Sequence, residues 1–248
     1  MGDFAMKETD ITKPLIRWLN AHQWEVYQEV QLYRGGGIAD IVATQGKLVW
    51  VVEVKTGLTT SVVAQAMWWI DEAHYVSVAT PERRHTKGRI VLEQYMRWKG
   101  IGWINADCHS YGGKKYFDEV TEQIRARLHR GALVRSLRDA LCDAHKTFAE
   151  AGNANGKRWT PFQETARKVV ESVKANPGCN LKFLVEAVDH HYASTQAFKT
   201  HIAGYIRSGV IKGIEIREDG RKLRFYPENE VNDGDDCMLE MRRSDSGR

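Results

Sequence analysis

Apolar and polar positions alternate along Trp24-Glu25-Val26-Tyr27-Gln28-Glu29-Val30-Gln31-Leu32, the two-residue period of a half-buried strand. A glycine-rich turn, Tyr33 to Gly37, leads to a second strand over Gly37 to Thr44; Gln45-Gly46 then turns the chain into a third, Lys47 to Lys55. In that third strand the alternation gives way to an unbroken apolar run, Leu48-Val49-Trp50-Val51-Val52, as expected of a central strand covered on both faces. Helical spacing returns over Ser61 to Ala73, with Thr60 or Ser61 as the cap, and again over Arg89 to Lys99. Between and after these helices come strands at Tyr75 to Ala79 and Ile101 to Ala106. A further helix precedes everything within Ala5 to Ala21, where Pro14 must kink it or mark its first turn. The order helix, three strands, helix, strand, helix, strand predicts a mixed α/β domain with one central sheet flanked by helices.

Beyond residue 106 the pattern changes. Phe117 to Glu150 reads as helical and rich in arginine (Arg125, Arg127, Arg130, Arg135, Arg138), and Gly152-Asn153-Ala154-Asn155-Gly156 reads as a linker. A smaller α+β unit follows, with helices over Phe162 to Ala175, Leu181 to Tyr192 and Thr195 to Ser208. A hairpin, Ile211 to Arg217 and Arg221 to Tyr226, turns through Asp219-Gly220. The expected layout is a core at 1–106, a helical extension and linker at 107–159, a second domain at 160–227 and an acidic, polar, disordered tail at 228–248.

Composition narrows the class without fixing it. Of 248 residues, 42% are hydrophobic and 27% charged, close to ordinary folded domains. No apolar run approaches the roughly 18 residues of a membrane span, and the first ten residues carry no secretory signal. Cys108, Cys142, Cys179 and Cys237 form no CxxC pair, which fits a reducing, cytoplasmic compartment better than a disulfide framework. A net charge of +4 permits nucleic-acid binding without demanding it.

The chemistry concentrates at Asp40 and at Glu53-Val54-Lys55. Residues two apart on a strand share a face, so Glu53 and Lys55 look the same way. If Gln45-Gly46 makes the second and third strands antiparallel neighbours, Asp40 falls close to Glu53 across the ladder. Two carboxylates and an ammonium then share one patch, a set suited to phosphodiester hydrolysis with a hard divalent cation. These residues carry a family resemblance. Asp40, twelve intervening residues and Glu53-Val54-Lys55 resemble the core motif of the PD-(D/E)xK nucleases, and the element order resembles their restriction-endonuclease-like core over about residues 5–106. The resemblance implies that Asp40 and Glu53 ligate Mg²⁺ (or Mn²⁺ in its place), with help from the Val54 carbonyl and from Glu8 on the first helix. It further implies that Lys55 serves the attacking water and that Gln65 lies near substrate or the lysine. In-line hydrolysis would leave 5′-phosphate and 3′-hydroxyl ends. The motif's proline is replaced by Ala39.

Three helices and a hairpin over about Thr160 to Pro227 resemble a winged helix-turn-helix domain. Phe198, Ile202, Tyr205 and Ile206 pack inward at helical spacing. Ser194 caps that helix, and Gln196, Lys199, Thr200 and Arg207 face outward as candidate DNA contacts. Arg217, Arg221, Lys222 and Arg224 on the hairpin would meet the phosphate backbone. The same features also suit a dimerisation or docking module with a solvated basic face. His190, His191, His201 and Cys179 have the wrong spacing for a zinc finger, and Gly35-Gly36-Gly37 precedes a strand where a phosphate loop would precede a helix. Trp68-Trp69 reads as sheet-covering core rather than a base-stacking platform. The sequence therefore predicts a Mg²⁺-dependent DNA endonuclease with no small-molecule cofactor, and a homodimer if it cuts both strands. A non-cleaving DNA-binding protein with the same fold, or a nuclease acting on RNA or branched DNA, stays open.

Overall fold

The computed structural model of the chain describes residues 7–32, 37–81, 87–111, 114–148, 151, 158–220 and 222–228, with the backbone alone over 107–111 and 114–119. The expected turn at 33–36, the linker at 152–156, Arg221, the tail from 229 onward and the side chains of Cys108 and Cys237 lie outside the described residues. The chain divides into two compact units, Met1–Glu164 and Thr165–Arg248.

The first unit runs α1 (Glu8–Ala21), β1 (Glu25–Gln31), β2 (Ile38–Gln45), β3 (Leu48–Val54), α2 (Thr60–Trp68), a 3₁₀ turn (Trp69–Asp71), β4 (Tyr75–Thr80), α3 (Lys87–Lys99), β5 (Gly102–Tyr111), β6 (Lys114–Ile124), α4 (Arg135–Ala140) and α5 (Ala144–Thr147). Its six strands lie in sequence order, β1-β2-β3-β4-β5-β6. Neighbours are antiparallel at β1/β2, β2/β3 and β5/β6, and parallel at β3/β4 and β4/β5. The apolar run of β3 is explained by cores on both faces. Val49 and Val51 pack with Val62, Val63, Ala66 and Trp69 on one side, while Trp50, Val52 and Val54 pack with Ile11, Leu15 and Leu19 of α1 on the other.

Helix boundaries follow capping chemistry. Thr59, just ahead of the expected cap, accepts a hydrogen bond from Val62 N through its Oγ1 (3.3 Å) and starts α2. In α1 the Asp10 carboxylate accepts the Lys7 N–H at 3.0 Å. Pro14 sits inside this helix, buried and past the first turn, where the α1–sheet packing offsets the donor it lacks.

The sheet does not close at Ala106, and this corrects the helical reading of Phe117 to Glu150. β5 continues to Tyr111 and pairs antiparallel with β6, so helix is confined to the short α4 and α5. Phe117, Val120 and Ile124 recur at spacings that fit a helix. The open edge of β5 nevertheless supplies a strand ladder, with Ala106 opposite Val120 and Trp103 opposite Ile124. Tertiary pairing outweighs local propensity here. Two of the arginines beyond β6 tie loops together: Arg127 donates to the Trp98 carbonyl, and Arg138 to the Gly46 carbonyl at 2.6 Å.

The second unit holds the rest of α6 (Pro161–Ala175), α7 (Leu181–Ala187), α8 (Thr195–Arg207) and the hairpin β7 (Ile214–Asp219)–β8 (Lys222–Pro227). Val169, Val173, Leu184, Phe198, Ile202 and Phe225 are fully buried. Asn180 caps α7 and Ser194 caps α8, accepting from Phe183 N (3.0 Å) and Ala197 N (3.1 Å). α7 stops well short of the expected Tyr192. After it, His190 stacks on Phe198 at 4.5 Å between ring centroids, and His191 Nδ1 meets Thr165 Oγ1 at 2.8 Å. Those ring contacts require the chain to leave the helix. Asp219 pairs with Lys222, and Gly220 takes the positive φ (61°) that the two-residue turn demands. Among the described residues no helix is long and apolar enough to cross a membrane, and Cys142 and Cys179 are free thiols.

Candidate active site

Asp40 sits where the β-ladder changes hands. The antiparallel register of β2 and β3 runs from Gln45↔Leu48 to Ile41↔Val52, which brings Asp40 level with Glu53 one step on. There the side chain substitutes for a backbone acceptor: Asp40 Oδ2 receives the Val54 N–H at 2.8 Å. The two-residue period breaks at the same point, since Ile41 joins the α1-side core while both Val42 and Ala39 join the α2-side core. On the neighbouring β1, Glu29 lies between the pairs Gln28↔Ile41 and Val30↔Ala39 and has φ of 51°. A non-glycine residue in this region costs on the order of 1 kcal/mol and persists where its surroundings enforce it. Glu29 is buried, and Arg158 Nε binds its Oε2 at 2.9 Å.

Lys55 gathers the group. Its Nζ donates to Asp40 Oδ2 (3.0 Å), to the Val54 carbonyl (2.9 Å) and to Glu8 Oε2 at the start of α1 (3.4 Å), so its three protons meet three oxygens. Burial pulls the lysine's pKa down, but Asp40, Glu8 and Glu53 together outweigh it and hold the ammonium above its ordinary range. Glu53 is 3% exposed and takes the Trp69 indole N–H on Oε1 at 2.7 Å. Burial, and then the charge on Asp40, push its carboxyl up to about 8, against the opposing pull of the Trp69 bond and Lys55. At neutral pH without a cation, Glu53 is therefore largely protonated.

The structure thus brings Asp40, Glu53, Val54, Lys55 and Glu8 together. Gln65 is not among them: it is exposed on α2, and its side chain makes no hydrogen bond among the described residues. Trp69 is the participant that the sequence reading missed. Its core role was expected, but its bond to Glu53 was not; the helical succession Val62, Ala66, Trp69 toward the sheet face shared with Glu53 was the available signal. In the second unit Gln196, Thr200, Arg207, Arg217 and Lys222 are exposed, and Lys199 and Arg224 half-buried. Ser194 is occupied as a cap and the Thr200 hydroxyl donates to the Gln196 carbonyl. Arg217 is held by both oxygens of Glu215 and lies over the Tyr226 ring, and Arg224 contacts Asp219 and the Gly178 carbonyl.

Among the described residues, no three or more histidine, cysteine, aspartate or glutamate side chains are grouped to hold a metal ion. What the site offers is an all-oxygen set of two carboxylates and a peptide carbonyl. That set fits a hard cation such as Mg²⁺, which keeps several of its own waters. Burial, and then the charge on Asp40, raise Glu53's pKa, and a divalent cation held there would offset both. Comparison with known proteins finds no matching family model, no similar curated protein and no similar solved structure.

Proposed function

We propose that the chain is a metal-dependent nuclease of the PD-(D/E)xK type that hydrolyses phosphodiester bonds in DNA. One observation carries the reading: Asp40, Glu53 and Lys55 converge at the end of a central strand that is otherwise apolar, where charged groups are costly unless they serve a purpose. Asp40, Glu53 and the Val54 carbonyl would hold Mg²⁺, with Glu8 beside them. When bound, the cation supplies polarisation of the phosphoryl group and a water of lowered pKa. Lys55 contributes an ammonium that stays charged across the working pH range, to orient the attacking water and offset charge gathering on phosphate. Trp69 fixes the orientation of the Glu53 carboxyl through its indole N–H. The second unit, with the order helix, helix, helix, hairpin and with Arg217 and Lys222 exposed on the hairpin, would serve as a winged-helix-like DNA reader.

The test is cleavage of supercoiled plasmid with Mg²⁺, comparing wild type, an EDTA control and Lys55→Ala. Relaxed or linear product is expected from wild type, none with EDTA, and a rate lowered by about 100-fold or more in the variant. Wild type that is inert on plasmid and on branched and RNA substrates sinks the nuclease reading and leaves a nucleic-acid-binding protein in its place.

A further inference from the structure

An aromatic-lined concavity of the first unit lies away from the carboxylates. It lies by the amino end of β3, where Trp18, Trp24, Trp50 and Tyr75 line a cavity of about 460 Å³ together with Glu122 and Arg125. Trp50 is three residues before Glu53, about 10 Å along the strand, and packs into the opposite, α1-side core. This cavity and the Asp40–Glu53–Lys55 group are therefore separate places. Its volume lies in the range of small-ligand sites, on the order of 300–1,000 Å³.

The lining specifies a ligand class. Trp50 is the fixed centre: it is buried, its indole N–H is committed to Ser77 Oγ (2.9 Å), and Trp18, Trp24 and Tyr75 meet it at centroid distances of 6.1, 5.3 and 6.1 Å. Trp24 and Tyr75 also meet edge to face at 6.3 Å. Trp18, Trp24 and Tyr75 are only half-buried, so part of each ring is open. Their Nε1 and OH donors, the Glu122 carboxylate and the Arg125 guanidinium have no partner among the described residues. Open aromatic surface favours a flat ring, because every base presents a π-face. Unused donors next to a carboxylate acceptor suit the mixed edge of a heterocycle. A guanidinium suits an attached anion, and it opposes the quaternary ammonium that an all-aromatic cage would otherwise favour.

We infer that this cavity is a binding site for a nucleotide, with the base against the Trp24 and Tyr75 rings and the phosphate at Arg125. The nucleotide can be free, or it can be one unstacked residue of a nucleic-acid strand. The inference stands independently of the nuclease reading, since it uses none of the residues of that site.

The experiment is titration of the full chain in EDTA with 5′-dAMP and 5′-dTMP, read by calorimetry and tryptophan fluorescence. Ribose 5-phosphate and tetramethylammonium serve as controls. Saturable binding of the nucleotides is expected, with neither control binding comparably. Arg125→Ala, a change at an exposed position, should weaken 5′-dAMP by about 5-fold yet leave deoxyadenosine unaffected. Trp24→Ala should weaken both by 10-fold or more, and Trp24→Phe should restore most of the loss. Lys55→Ala should bind 5′-dAMP as wild type does, which keeps this result apart from any failure of cleavage. A strand with one base in an otherwise abasic tract, binding more tightly than 5′-dAMP, would assign the site to a strand; weaker binding would assign it to the free nucleotide. The proposal is overturned if ribose 5-phosphate binds as well as 5′-dAMP, if tetramethylammonium binds preferentially, if no nucleotide gives a saturable signal, or if the Trp24 and Arg125 variants bind unchanged.

Discussion

Two groups of charges in this molecule are built on opposite plans. In the first unit, Lys55 is shared among three oxygens and Glu53 is sealed under Trp69, so the group is held by convergent bonds in a poorly solvated place. In the second, the basic side chains lie mostly in solvent and are matched with acids of their own element or its neighbour: Arg217 with Glu215, Arg224 with Asp219, Arg207 with Glu218. Removing one partner from a buried group leaves an uncompensated charge, whereas exposed pairs contribute little net. The first arrangement fixes its groups in position. The second leaves its charges able to change partners.

The sharpest way to separate the two plans is pH. Glu53 ionises near 8 in the folded, cation-free chain and near its ordinary 4.5 when unfolded, so between those values the folded state holds the extra proton. The stabilisation is complete below about 4.5 and is lost as pH rises through about 8. In EDTA, Glu53 should lower stability on the order of a few kcal/mol across this window, seen as a falling denaturation midpoint. Glu53→Gln should flatten the slope. Mg²⁺ should reverse it, because binding the cation requires the carboxylate and releases the proton. A slope that is the same in Glu53→Gln would show that Glu53 is not the titrating group. Charges as exposed as those on the hairpin offer no comparable lever.

How much of this was legible beforehand depended on whether a signal was local. The strands from Trp24 to Val54, their hairpin at Gln45-Gly46 and hence the meeting of Asp40 with Glu53 follow from periodicity and turn chemistry within thirty or so residues. β6 did not, because its residues suit a helix on their own and become a strand only against β5, which no short window contains. The end of α7 was missed for a similar reason: His190 finds Phe198, and His191 finds Thr165, only after folding. At the site, the break of period at Asp40 lies in a stretch apolar on both sides of it, Ile38-Ala39 and Ile41-Val42-Ala43, where no alternation exists to be seen broken, and the positive φ of Glu29 has no mark in the sequence. Gln65 was placed near the site by resemblance alone, and the outward face of α2 keeps it in solvent.

Trp69→Phe makes an intermediate break. It keeps an aromatic ring in the α2-side core and removes only the donor to Glu53 Oε1. Losing one bond to a buried polar group costs about 1–3 kcal/mol. Because that bond lowers Glu53's pKa, its loss should push the carboxyl higher still and weaken Mg²⁺ binding at neutral pH. Calorimetric titration of Mg²⁺ from pH 7 to pH 9 checks this: the deficit of the variant should be severalfold at pH 7 and shrink as rising pH ionises more of Glu53 in the variant. A deficit independent of pH would mean that the indole only fills space.

The smallest effect is expected on the hairpin, and its sign carries the information. Arg217 is bidentate with Glu215 in the free protein, so phosphate must compete for a guanidinium already engaged. Arg217→Ala should therefore weaken duplex binding by less than about 5-fold and reduce the dependence of log K on log salt by about one contact's worth. Glu215→Ala should act the other way, tightening binding about 2-fold by releasing the arginine and removing a negative charge from the face. Fluorescence anisotropy across a salt series measures both. If Arg217→Ala leaves affinity and salt slope unchanged, the arginine belongs to the hairpin's own ion pair and the reader role of this face fails. If both variants move as expected, the difference between the two units becomes a division of labour, because charges that must stay put were buried and charges that must change partners were left in water.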